Sequence, residues 1–131
     1  QRKKGQQEVH QPTGLQRHEK TFFQELDRLI EKNISDNSLS VEKLSSELGM
    51  SRVQLFRKMS ALTGENVSEY IATYKTNKAK LLLQDSTRNI TEIAYDLGFS
   101  NPSYFTTFFK QRTGKTPTDW RLNVEKDNEK I

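Results

Sequence analysis

When the 131-residue sequence is slid along itself, it matches at an offset of 49 to 50 residues. Val41, Leu44, Leu48, Gly49, Ser51, Phe56 and Met59 fall on Ile90, Ile93, Leu97, Gly98, Ser100, Phe105 and Phe108. After a one-residue slip, Thr63-Gly64 falls on Thr113-Gly114, and Val67 to Tyr70 on Pro117 to Trp120. The chain therefore has to fold as two copies of one supersecondary unit. Each copy reads as a short helix, a tight turn built on Leu-Gly-apolar-Ser, and a longer helix. Such a pattern serves a reader of the DNA major groove, and it serves equally two helical hairpins that merely pack together.

Apolar periodicity and capping residues set out seven helices and no strand. Phe22, Leu26, Leu29 or Ile30, and Ile34 mark a first amphipathic helix over about 20 to 35, ended by Ser35-Asp36-Asn37-Ser38. A short helix over Val41–Leu48 stops at Gly49, and Ser51 with Gln54 forms a capping box for a second that runs to Thr63-Gly64. Asn66 with Glu69 opens a longer helix without internal Gly or Pro, reaching about Gln84. Asn89 with Glu92, Asn101-Pro102 and Thr116-Pro117 open the last three. The predicted fold class is all-α, two helix-turn-helix units at about 41–64 and 90–114 joined by a long linker helix. From Val67 to Gln84 that linker would span about 27 Å, against the roughly 34 Å repeat of B-DNA, a length that suits two reading helices about one turn apart.

Charge separates the two interpretations of the repeat. The first helix of each copy carries acids, Glu42, Glu47, Glu92 and Asp96, while the second helices carry Arg52, Arg57, Lys58, Lys110 and Arg112 and no acid. A solvated face ordinarily mixes both signs, so the second helices are the ones expected to face phosphate. On the earlier of them Leu55, Met59 and Leu62 form a core stripe that leaves Val53, Gln54, Arg57 and Ser60 outward. On the later one Tyr104, Phe105, Phe108 and Phe109 are expected inward, leaving Pro102, Ser103, Thr106, Thr107 and Lys110 outward.

Composition removes most other functions. There is no cysteine, and both histidines, His10 and His18, lie in the polar first 20 residues, so neither a thiolate metal site nor a Cys or His nucleophile is at hand. No cofactor and no metal is expected. Glu92 and Asp96, one helical turn apart, read as a solvated face rather than a cation site. No glycine-rich phosphate loop, no basic amphipathic membrane helix and no aromatic sheet platform for RNA is present in the sequence. Net charge +4 and a pI near 9.3 fit a polyanion partner. Residues 1–20 read as a linker or tail and 127–131 as a polar end, leaving 21–126 as the folded domain. Without an apolar run of membrane length, a cytoplasmic protein is expected. An opening Gln rather than Met suggests a piece of something longer.

The run from Ile90 through Ala94-Tyr-Asp-Leu-Gly-Phe-Ser-Asn-Pro-Ser-Tyr-Phe-Thr-Thr-Phe-Phe-Lys110, then Thr113-Gly-Lys-Thr-Pro117 and Trp120-Arg121, resembles the DNA-binding domain of AraC/XylS-type transcription regulators. The likeness covers about Phe22 to Leu122. The first copy, Leu48 to Lys58 and on through Leu62-Thr-Gly64, is similar to the output modules of hybrid two-component sensors and response regulators.

The resemblance implies a sequence-specific regulator of transcription on double-stranded DNA, carried behind an upstream receiver or sensor domain. Base reading is implied for Val53, Phe56 and Arg57, with Gln54 beside them, and for Ser103, Thr106 and Thr107. Arg57 suits a guanine, Val53 and Phe56 suit thymine methyls, and Phe56 is equally well placed for partial burial beside Leu55. Phosphate contacts are expected from Ser51, Arg52, Lys58, Ser100, Asn101, Lys110 and Arg121, each lysine being also an ordinary surface residue. Thr107 and Lys75-Thr76 depart from the family, which often has Arg at the first position and Arg-Leu on the linker. The competing reading is a helical module that docks RNA polymerase or a partner regulator through its acidic faces. Self-association of full-length protomers into a homodimer is compatible with either.

Overall fold

The computed structural model describes residues 14–129. Seven helices follow in order, α1 Gly14–Asn33, α2 Val41–Leu48, α3 Arg52–Thr63, α4 Val67–Leu83, α5 Ile90–Asp96, α6 Pro102–Thr113 and α7 Pro117–Glu129, with no strand among the described residues. Helix α1 begins at Gly14, within the segment read from composition as a tail. The rest of that segment lies outside the described residues.

Two apolar cores form, one in each lobe. In the first, Leu26, Leu29 and Ile30 of α1 meet Leu44 of α2 and Leu55 and Met59 of α3. In the second, Ile93, Ala94 and Leu97 of α5 meet Phe105 and Phe109 of α6 over Ala79 and Leu83 of α4. Tyr74, near the middle of α4, packs against both. Burial on this scale, at about 25 cal/mol per Å² of apolar surface, is what holds so short a set of helices together.

Helix α4 is bound to both lobes by polar contacts as well. Tyr70 donates to Asp27 at 2.7 Å, and Tyr74 and Lys78 both donate to Glu31 at 2.6 Å, fastening α1 along α4. Burial and then the neighbouring carboxylates push both phenols well above their ordinary range. At the far end Arg121 of α7 donates to the carbonyls of Leu83 and Asp85, each at 3.0 Å, closing the last turn of α4. Lys75 lies half-buried with its ammonium 5.2 Å from the Phe99 ring centroid, and desolvation lowers its pKa. Thr76, the other departure on the linker, is buried and donates to the Ala72 carbonyl at 2.8 Å.

Candidate nucleic-acid interface

The repeat is visible in the backbone, but its slip lies elsewhere than the sequence match put it. Leu48 and Leu97 close α2 and α5, and Met50 and Phe99 donate to the carbonyls of Ser45 and Ala94, at an offset of 49. The next helices then start at Ser51 and Asn101, an offset of 50. Thr63 and Thr113 end them identically, each hydroxyl donating four residues back and accepting from the amide two residues on. The extra residue is therefore Ser100, inside the turn, and the true structural counterparts are Leu55 with Phe105 and Met59 with Phe109, all fully buried.

This register corrects one expectation. Tyr104 does not face inward: it is 61% exposed and stands at the position of Gln54, while Phe108 is only half-buried. The signal was available, since Phe105 and Phe109 already supply the i, i+4 stripe that a helix of this length can bury.

The exposed face of α3 carries Val53, 56% exposed, Phe56, 58% exposed, and Arg57. Phe56 is thus not buried beside Leu55. Gln54 is exposed but its side-chain oxygen accepts from the Ser51 amide at 2.8 Å, while Ser51 Oγ accepts from the Gln54 amide at 3.1 Å. Its NH₂ group and the second lone pair of that oxygen are left to face outward. On α6, Ser103 and Thr107 are exposed and Thr106 half-exposed, with Asn101 accepting from the Tyr104 amide at 3.0 Å.

The cations divide into two sets. Arg57 and Lys110 are exposed, and among the described residues neither enters an ion pair. Arg52 is exposed but pairs with Glu42 at 3.1 Å. Lys58 turns back to α1, its ammonium 4.8 Å from the Phe22 ring centroid, Arg112 binds Glu69 and Thr73, and Arg121 caps α4. Lys58 and Arg121, expected at phosphate, are thus engaged within the fold. Glu69, expected to complete a capping box with Asn66, gives its carboxylate to Arg112 instead.

The acids of α2 and α5 are largely engaged as well. Glu42 holds Arg52, Asp96 holds Arg88, and Glu92 completes a capping box with Asn89. What remains outward on each of the two second helices is an acid-free surface of apolar, hydroxyl and cationic groups. No cluster of metal-ligating side chains occurs among the described residues.

A first helix, a glycine turn and an exposed second helix, repeated, define a helix-turn-helix protein, and the helix-turn-helix domain family matches residues 44–123. The chain belongs to that family, in its AraC/XylS-type branch of DNA-binding transcription regulators. It is 29% identical to the C-terminal domain of the two-component response regulator yesN from Fusobacterium nucleatum, covering 77% of this chain and 98% of that one with a TM-score of 0.70. An AraC-type transcriptional regulator from Chromobacterium violaceum is 28% identical, with 82% and 96% covered and a TM-score of 0.72. Histidine kinase P4 of Formosa agariphila is 33% identical over 94 residues, 72% of this chain but 7% of that protein's length. No described helix is long and apolar enough to cross a membrane.

Proposed function

We propose that this chain is the DNA-reading output part of a larger signal-responsive protein of the two-component kind, acting in the cytoplasm and without catalysis of its own. The observation that carries the reading is that α3 and α6, equivalent helices of the two units in matched register, each present an acid-free outer face. Helix α3 reads bases through Val53, Phe56 and Arg57, helped by the NH₂ group of Gln54. Helix α6 does so through Ser103, Thr106 and Thr107, to which its register adds Tyr104.

Phosphate contact falls to Lys110, to Arg52 and to the open amides at the helix starts near Ser51 and Asn101. Exposed pairs such as Arg52–Glu42 contribute at most about 1 kcal/mol, so a phosphate displaces Glu42 at little cost. The start of α6 is the poorer anion site, because Pro102 has no N–H to offer. Lys58 and Arg121 position helices rather than phosphates. An upstream receiver or sensor domain supplies the signal, and association of full-length protomers at repeated sites raises occupancy by avidity. The likeness to a response-regulator C-terminal domain supports this part of the reading.

Docking of RNA polymerase is compatible with this arrangement, but the engagement of Glu42, Glu92 and Asp96 within the fold leaves it little acidic surface. The test is selection of binding sites from a random duplex pool by this chain, titrated at two salt concentrations. Two short blocks about one helical turn apart, with affinity falling steeply in salt, are the expected result. Equal weak binding to all duplexes would remove sequence reading from this chain.

A further inference from the structure

The equivalent turns of the two units have different surroundings. A side-chain carbon on Gly49 would meet nothing within 4 Å, but on Gly98 it would overlap the Ile34 carbonyl oxygen and lie 3.5 Å from that of Asp36. The first lobe thus covers the turn of the second unit, and it does so with the chain at the end of α1. Leu26, Leu29 and Ile30 of that helix belong to the first core, whereas Ile34, just past the helix end, is buried in the second with Ala79, Leu83 and Ile93. Lys75 of α4 closes the junction. The same carbon on Gly98 would lie 3.3 Å from its Nζ, which stands 5.2 Å from the Phe99 ring centroid. A cation beside the carbonyl end of a helix and over an aromatic face is favoured on both counts.

Two lobes joined by α4 alone would be free to bend and roll about it, since a single helix curves readily and grips each lobe by one stripe. Here a second connection runs alongside: α1, fastened to α4 by Tyr70 on Asp27 and Tyr74 on Glu31, passes from one core toward the other. Two attachments side by side oppose both motions. Resting on the DNA reading proposed above, we infer that the junction of Ile34, Lys75 and Gly98 fixes the separation of the two units along the duplex. The chain then specifies the number of base pairs between its two blocks as well as the bases within them. One added base pair moves a block about 3.4 Å along the axis and about 35° around it, a combined shift and turn that the junction does not allow. Ile34 and Lys75 are thus positioning residues, acting through the reading helices.

The experiment takes duplexes carrying the two selected blocks, with one or two base pairs inserted between them or removed, and measures affinity by fluorescence anisotropy. The parent should lose about tenfold or more per base pair, at least the worth of one mismatch. Lys75→Met and Ile34→Val, with folding checked by circular dichroism, should each reduce that penalty several-fold and keep the base preference within each block. A general loss of stability, or of a phosphate contact by Lys75, would instead weaken every duplex alike. A spacing penalty unchanged in either variant takes that residue out of the junction. A parent indifferent to spacing, or selected sites with a single block, would overturn the junction and leave DNA reading intact. No selected block at all would overturn the DNA reading and the junction with it.

Discussion

Arg112, near the end of α6, reaches across to Glu69 in the first turn of α4 at 2.7 Å and to the Thr73 hydroxyl at 3.0 Å. The second helix of the later unit is thereby tied to α4, which packs against both cores. Arg112 also lies 5.7 Å from the Phe108 ring centroid, so its guanidinium is held on two sides. In sequence it looks like Lys110, a base on an acid-free helix, yet the fold gives the two opposite duties.

Arg112→Ala should accordingly lower stability by roughly 0.2–1 kcal/mol, the range for a partly exposed pair, and leave the salt dependence of DNA binding unchanged. Lys110→Ala should leave stability within about 0.5 kcal/mol and reduce the log–log salt slope by about one unit, equally on all sequences. Thermal melts and salt titrations on the two variants decide it. A change of slope in Arg112→Ala would make Arg112 a phosphate ligand.

The two turn glycines separate a local requirement from a tertiary one. Gly49 and Gly98 both have positive φ, 71° and 87°, but a Cβ on Gly49 meets nothing within 4 Å, whereas on Gly98 it would lie 2.4 Å from the Ile34 carbonyl oxygen. Gly49→Ala should cost roughly 1–2 kcal/mol, the left-handed penalty alone. Gly98→Ala adds displacement of the backbone after α1, and should cost clearly more. Denaturant unfolding of both variants measures the difference, and equal losses would mean that the Ile34 segment yields freely.

These turns also mark how far the sequence could be read. Helices α2 to α7 are legible because Ser, Asn and Thr caps, N1 prolines and terminal glycines punctuate them, and local hydrogen bonds answer to local residues. The misplaced slip is invisible to matching by residue type, since Ser51 pairs as well with Ser100 as with Asn101. Only the buried pair Phe105 and Phe109 fixes it, and with it the outward turn of Tyr104. Contacts at long range have no sequence signature at all: nothing in the chain announces that Arg121 caps α4 or that Lys58 lies over Phe22. The start of α1 at Gly14 was hidden by polar composition.

Tyr104 stands at the third position of α6, where the start of a recognition helix meets bases. Because its ring supports no core, Tyr104→Ala should leave the melting temperature nearly unchanged while weakening binding to a selected site several-fold. Tyr104→Phe, which keeps the ring, separates the hydroxyl from the apolar contact. Full affinity in Tyr104→Ala would return it to plain surface.

Arg57 has no ion-pair partner among the described residues and lies on the same exposed face as Phe56. A bidentate guanine contact predicts that Arg57→Ala costs about 1–3 kcal/mol on the selected site and relaxes preference at one base pair. Competition against duplexes carrying each base at that pair measures this. An equal loss on every sequence would reassign Arg57 to phosphate.

Asp36 sits where α1 hands over to α2 and accepts from the Ser38 hydroxyl at 2.7 Å, the Ser38 amide at 2.9 Å and Lys43 at 3.1 Å. The Ser38 hydroxyl, then its amide, then Lys43 hold the carboxyl down at about 2, against an ordinary 3.8. The folded form thus binds this proton less readily than the unfolded chain, so the stabilisation is present above 3.8 and is lost as pH falls toward 2. Glu31, lowered by its hydrogen bonds from Lys78 and Tyr74, acts with the same sign. Thermal melts from about pH 5 down to about 2 should show Asp36→Asn less stable than the parent at the upper end, with the two curves converging at the lower. Parallel curves across that window would mean that the turn between α1 and α2 draws nothing from the charge of Asp36.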